Sequence, residues 1–191
     1  MHNMSFPVFP CRGVRVGGGS PQSHVDTFLK QRPSSNWVLL GAHAVMSDEQ
    51  LWTAWIQAAR NELRGRMVAR SIDAEFLRYL AGTHHISEAF NRAGLQKGQT
   101  TAWIVCLPGA TGLENDLGHL QPVAQDILDF ETTFADLLGQ LEWSEGSIDM
   151  SFSIEGAKQL GIDADGWSEP RVSESIIAHI LMADDQSSSH R

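Results

Sequence analysis

Between Ser47 and Pro108 the chain carries three helix starts, three glycine stops and one continuous apolar strand, which dictates helices packed on a sheet. Ser47 is an N-cap with Gln50 three residues on, the capping-box spacing. Trp52, Trp55, Ile56, Ala59 and Leu63 then recur at helical intervals as one apolar stripe, and Gly65 stops the helix. Trp52 and Trp55 lie on that stripe and therefore read as core rather than as stacking platforms. A second helix opens near Ser71 with Asp73 and Glu75 in its first turn, where the helix dipole favours acids. Its buried face is Ile72, Phe76, Leu77 and Leu80, and Gly82 ends it. Thr83 caps a third helix, with Ile86, Ala89, Phe90 and Ala93 inward and Gly94 as the stop. Residues 101–107, TAWIVCL, form the best strand, terminated by Pro108.

The flanks complete an α/β domain with a small mixed sheet of about four strands, packed with several helices. Residues 6–16 read as a first strand whose prolines restrict it to an edge or to the strand's start. A glycine loop follows at 17–19. Residues 22–31 are a short helix with Val25, Phe28 and Leu29 on one face, and 37–45 a buried strand. Residues 122–141 look helical, 147–153 a short strand, 154–161 a short helix, and Ser173 starts a last helix. One domain spans 1–183, with 184–191 as a frayed polar tail.

The charge is uneven. The net charge is -9, but residues 60–97 hold 7 basic and 4 acidic side chains, while 98–191 hold 3 and 16. Bulk acidity excludes a uniformly basic coat protein. Cys11 and Cys106 form no C-x-x-C pair, so a structural zinc or a disulfide framework is not expected, and two reduced thiols fit a cytoplasmic chain. No signal peptide and no run near the ~20 apolar residues of a membrane span is read. The loop GVRVGGGS lacks both phosphate-binding glycine spacings and reads as a turn. Adjacent His84 and His85 diverge by about 100° on a helix and make a poor metal pair. No catalytic, cofactor or metal set emerges.

The basic segment holds Arg60, Arg64, Arg66, Arg70, Arg78, Arg92 and Lys97, and six of the seven are arginine, whose fork fits phosphate. Beside them, Thr83, His84 and His85 open a helix, where free N–H groups favour anions. Together they form a candidate RNA surface. The alternative is a solvated set pairing with Asp73, Glu75 and Glu88, and pattern alone does not separate the two.

The block 65–107 resembles the signature region of the small KEOPS/EKC subunit, the PRPK-type kinase-binding protein family (TPRKB in animals), archaeal-type members included. The matching residues are Ser71, Glu75-Phe76-Leu77, Ile86-Ser87-Glu88-Ala89-Phe90, Gly94-Leu95 and the strand from Trp103 to Leu107. The resemblance implies a non-catalytic, cytoplasmic accessory subunit of the complex that makes N6-threonylcarbamoyladenosine in tRNA. Its partners would be the kinase-like subunit and the single-stranded CCA end of tRNA. Many archaeal members carry Arg-Gln where this chain has His84-His85, which weakens a charged phosphate contact or replaces it by stacking. The acidic 109–150 region is expected to confine tRNA to the arginine face. The implied kinase-docking positions are Phe90, Ala93, Ile177 and Ile180, which periodicity alone does not distinguish from core. Two other functions stay open: an enzyme holding a phosphorylated small molecule on the arginines, and a scaffold without RNA contact.

Overall fold

The computed structural model describes residues 6–112 and 119–188. Four strands, β1 (Cys11–Arg15), β2 (Trp37–Gly41), β3 (Thr101–Cys106) and β6 (Ser144–Glu145), form a sheet of order β2-β3-β1-β6. Every pairing is antiparallel, where a mixed sheet was expected. A separate two-stranded ribbon joins β4 (Ala110–Thr111) to β5 (Gln121–Pro122). The first strand starts just after Pro10, so neither proline interrupts the ladder.

The sheet is covered on both faces. Along β3 the side chains alternate between two apolar clusters: Trp103 and Val105 in one, Ala102, Ile104 and Cys106 in the other. That double burial is why TAWIVCL is apolar at nearly every position. The first cluster packs under α2 (Asp48–Leu63), α3 (Ile72–Leu80), α4 (Ile86–Ala93), α6 (Ile154–Gln159) and α7 (Glu169–Leu181). The second packs under α1 (Pro21–Gln31) and α5 (Ala124–Leu141), whose Phe130, Phe134, Leu137 and Leu141 form its inward stripe. Cys11 and Cys106 sit on neighbouring strands but face opposite layers, so they do not meet. Burial pushes both thiols up to about 12.

The cap of α2 follows the sequence, whereas Ser71 makes no side-chain cap bond and the N-cap of α4 is His85, not Thr83 as expected. Ser47 Oγ accepts from Gln50 N–H at 3.1 Å, while the Gln50 side chain reaches back to Met46 N–H at 2.8 Å. Trp52 and Trp55 are core, and their indole N–H groups donate to the carbonyls of Pro7 and Pro108. After α2, Gly65 turns left-handed with φ +64°, and Arg66 N–H donates to Asn61 O at 2.8 Å. After α3, Gly82 repeats the motif with φ +60°, and Thr83 N–H donates to Arg78 O.

Three elements depart from expectation. The final helix starts at Glu169, because Pro170 sits in the first turn, where its missing N–H costs nothing. The strand expected at 147–153 pairs earlier, at Ser144–Glu145, and Gly146 N–H extends it onto Gly13 O at 2.9 Å. The polar tail does not begin at Asp184: Ala183–Ser188 form a 3-10 turn, and Asp184 bonds to α3.

Gly82 and Gly65 share a backbone conformation but not surroundings. A Cβ at Gly82 would stand 2.2 Å from the His179 ring, whereas one at Gly65 meets nothing within 4 Å. Urea unfolding should therefore separate them: Gly65→Ala costs about 1 kcal/mol, and Gly82→Ala at least about 3 kcal/mol.

Candidate nucleic-acid interface

The segment 60–97 wraps around α3, and every residue of that helix is buried, the ionisable Asp73, Glu75 and Arg78 included. The sequence stripe anticipated one inward face. The helix is instead enclosed by α2, α4, α7 and the C-terminal turn, so its polar residues must find partners inside.

They do. Arg78 and Glu75 are both 0 % exposed and pair at 2.9 Å. Arg78 also donates to Asp184 at 2.7 Å and stacks over the Tyr79 ring, its guanidinium carbon 4.4 Å from the centroid. Glu75 further accepts from Asn61 at 2.8 Å and from Ala69 N–H at 2.9 Å. Burial opposes the Glu75 charge, but the bonds from Arg78, Ala69 and Asn61 outweigh it and hold the carboxyl below its ordinary value. Burial likewise opposes the Arg78 charge, and the bonds to Glu75 and Asp184 hold it more firmly protonated than usual. Burial and the bond to Asp184 push the Tyr79 hydroxyl up to about 12.

The candidate RNA residues consequently divide. Arg78 is withdrawn, being sealed inside and bonded to two carboxylates. Arg92 is half-buried and acts as a staple: it pairs with Glu88, donates to Ala81 O at 3.0 Å, and lies where a Cβ at Gly161 would stand 2.6 Å away. Thr83 is buried, donating to Glu88 at 2.7 Å and accepting from His85 N–H at 3.2 Å. Its bond and Arg92 hold Glu88 below the usual carboxylate range. An internal carboxylate therefore already occupies the first turn of α4. His85 is exposed, and His84 is half-buried with Nδ1 lacking a partner among the described residues.

Arg64, Arg66 and Arg70 are exposed and form no ion pair among the described residues. They lie on the α2–α3 loop with Val68, whose side chain is also exposed. Lys97 is exposed too, but its loop packs at the Gly41 end of β2 through the His43–Gln99 contact. The arginine loop leads into Asp73, whose partner Arg32 bonds to Trp37 O at the other end of that strand. Thr83 to His85 stand at the far end of α3, about 13 Å from the loop for nine helical residues. The single basic face read from sequence is thus an arginine loop separated from two histidines and a lysine.

The partner positions divide by helix phase. Ala93 and Ile180 are fully buried core, which removes them from any docking surface. Phe90 is exposed on α4, and Ile177 is half-buried on the outer side of α7. Four residues on from Ile177 comes Leu181, exposed, followed by exposed Met182. Ile177 therefore shares its outer face with Leu181, four residues on, and not with Ile180, the position implied beside it.

A profile of the family described as kinase binding protein CGI-121 matches residues 21–181. The chain belongs to this family. No curated protein matches it. The match runs from α1 through α7 and includes the arginine loop, Ile177 and Leu181. Among the described residues, no group of three His, Cys, Asp or Glu side chains is placed to hold a metal ion, and no helix is long and apolar enough to cross a membrane.

Two predictions follow from the buried groups. Arg78→Ala leaves Glu75 buried without its cation and should cost about 3–5 kcal/mol in urea unfolding, whereas Arg70→Ala should stay within about 0.5 kcal/mol. The second concerns pH. Burial lowers His43 and His179, against the opposing pull of their hydrogen bonds. His179 Nε2 faces the Ala81 and Leu160 carbonyls, each at 2.9 Å, so that nitrogen carries the hydrogen of a neutral ring. Below about pH 6.5 the unfolded chain binds protons that these rings refuse, so stability falls with falling pH. The depressed Glu75, Glu88 and Asp184 carboxyls add a second loss below about pH 4.5. Urea midpoints across pH 8 to 4 should show both phases, and His179→Gln, which keeps an N–H for the carbonyls, should shallow the first.

Proposed function

We propose that this chain is a non-catalytic, cytoplasmic accessory subunit of the KEOPS complex, which makes N6-threonylcarbamoyladenosine in tRNA. In this reading it binds the kinase-like subunit through outward apolar residues of α4 and α7, and contacts the 3′ CCA end of tRNA through the arginine loop. The observation that carries the reading is the strip Ile177, Leu181 and Met182 on α7 of a kinase-binding family member. Exposed aliphatic and thioether side chains at the end of a helix are costly in water and suit a protein partner. With Phe90 they form the docking set of this reading, replacing the pair Ala93 and Ile180.

The RNA part rests on Arg64, Arg66 and Arg70. Three exposed guanidinium groups without an ion-pair partner among the described residues can meet phosphates without first breaking an ion pair. Exposed Val68 between them supplies an apolar contact suited to a splayed base. The acidic C-terminal half, with 16 acidic against 3 basic residues, would repel RNA elsewhere and leave this loop as its point of entry.

The test uses the full chain with tRNA carrying or lacking its CCA end, over a salt series. Intact tRNA should bind more tightly, and Arg66→Ala or Arg70→Ala should each reduce the salt slope by about one. Equal binding of both RNAs refutes CCA capture, and kinase binding without RNA binding identifies a scaffold. Leu181→Asp and Phe90→Glu should each abolish co-purification with the kinase while leaving the urea midpoint near the parent value. Retained co-purification by both variants refutes the docking set.

A further inference from the structure

The arginine loop hangs on few backbone bonds. At its start Arg66 N–H donates to Asn61 O, and at its end Ala69 N–H donates to the Glu75 carboxylate. The Ala69 anchor belongs to a side-chain network that also takes in the Asn61 amide, while the Arg66 anchor is the Asn61 main-chain carbonyl. Asn61 Nδ2 donates to Glu75 Oε1 at 2.8 Å and to Tyr79 Oη at 2.7 Å. Arg78 bridges Glu75 Oε1 at 2.9 Å and Asp184 Oδ1 at 2.7 Å. Tyr79 Oη donates to the other oxygen of Asp184 at 2.7 Å. Asp184, beyond α7, therefore takes the far side of both Arg78 and Tyr79, the groups that flank the Glu75 carboxylate and the Asn61 amide.

We propose that Asp184 is a positioning residue for the arginine loop: by fixing Arg78 and Tyr79 from the C-terminal side, it sets the Glu75 carboxylate that holds Ala69 N–H, directly through Arg78 and indirectly through the Asn61 side chain, and so fixes the end of the backbone carrying Arg66 and Arg70. The logic is orientational. A guanidinium between two carboxylates has one arrangement that satisfies both, and removing one lets it rotate about the other. With Arg78 free to turn, Glu75 loses its fixed direction towards Ala69 N–H. Tyr79 Oη loses the acceptor that orients it towards Asn61. Loop and C-terminal turn lie at opposite ends of α3 and are linked by this network running beside the helix.

The position of Asp184 adds a consequence, which rests on the function proposed above. It follows the exposed Leu181 and Met182 by only a few residues. A partner seated on the end of α7 restrains Asp184 and, through it, the loop. Kinase docking and RNA contact are then coupled, each strengthening the other.

The experiment is amide hydrogen exchange on the full chain and on Asp184→Asn, Asp184→Ala and Asp184→Glu. The Asp184 side chain is about half exposed, so its replacement leaves no buried cavity. In Asp184→Asn and Asp184→Ala, amides 66–70 should exchange about tenfold faster while Thr101–Cys106 stay unchanged, and Asp184→Glu should restore most of the protection. Unchanged loop exchange overturns the proposal. Equal acceleration in β3 also overturns it, because that marks general destabilisation. Binding of a CCA-ended single-stranded RNA to the same proteins separates the two readings. A faster loop with weakened RNA binding supports both, and a faster loop with unaltered RNA binding supports the positioning role while removing the RNA reading.

Discussion

The fold is organised around one buried ion pair. Arg78 and Glu75, one helical turn apart on α3, are both sealed from solvent. Taking two charges out of water costs several kcal/mol each, so the surroundings must supply nearly every hydrogen bond the charges need. Those bonds come from three directions, the end of α2, the loop after it and the C-terminal turn, while the Tyr79 ring lies against the Arg78 guanidinium. An apolar pair in the same place would contribute similar packing without dictating where these parts go. The ion pair fixes their relative placement as well as filling space.

The same demand explains the surface. Once Arg78 and Arg92 are consumed internally, and Arg32 by Asp73, the cations left without a described ion-pair partner in the middle of the chain concentrate on the α2–α3 loop. The loop is presented by glycine-terminated α2 on one side and by the start of buried α3 on the other. Its arginines are therefore mobile side chains on a backbone anchored at both ends, a suitable arrangement for a flexible polyanion.

Much of the fold was legible in the sequence. The Ser47 start and the glycine stops at 65, 82 and 94 were legible because those signals are local and chemical, whereas the third helix starts from His85 rather than from Thr83. TAWIVCL was legible as a buried strand because both of its faces are apolar. The missed features are those that need three dimensions. A stripe analysis of α3 saw Ile72, Phe76, Leu77 and Leu80 and left Glu75 and Arg78 to solvent, since nothing local says that other elements close over the polar side. The i, i+3 spacing of Glu75 and Arg78 was the one available hint, and an exposed pair shows the same spacing. The resemblance implied Ile177 and Ile180 together as docking positions, although three residues of helix turn one outward and the other inward. Asp184 was assigned to a tail on composition, and only the fold shows what its carboxylate meets.

Gly82 carries a further implication. The space its missing side chain leaves is filled by the His179 ring, which is bonded in turn to the carbonyls of Ala81 and Leu160. Position 82 and position 179 are thus one decision made twice, far apart in the chain. Among relatives that keep this packing, a side chain appearing at the first should accompany a smaller residue at the second. Their joint variation would then report helix docking rather than any shared role in ligand binding.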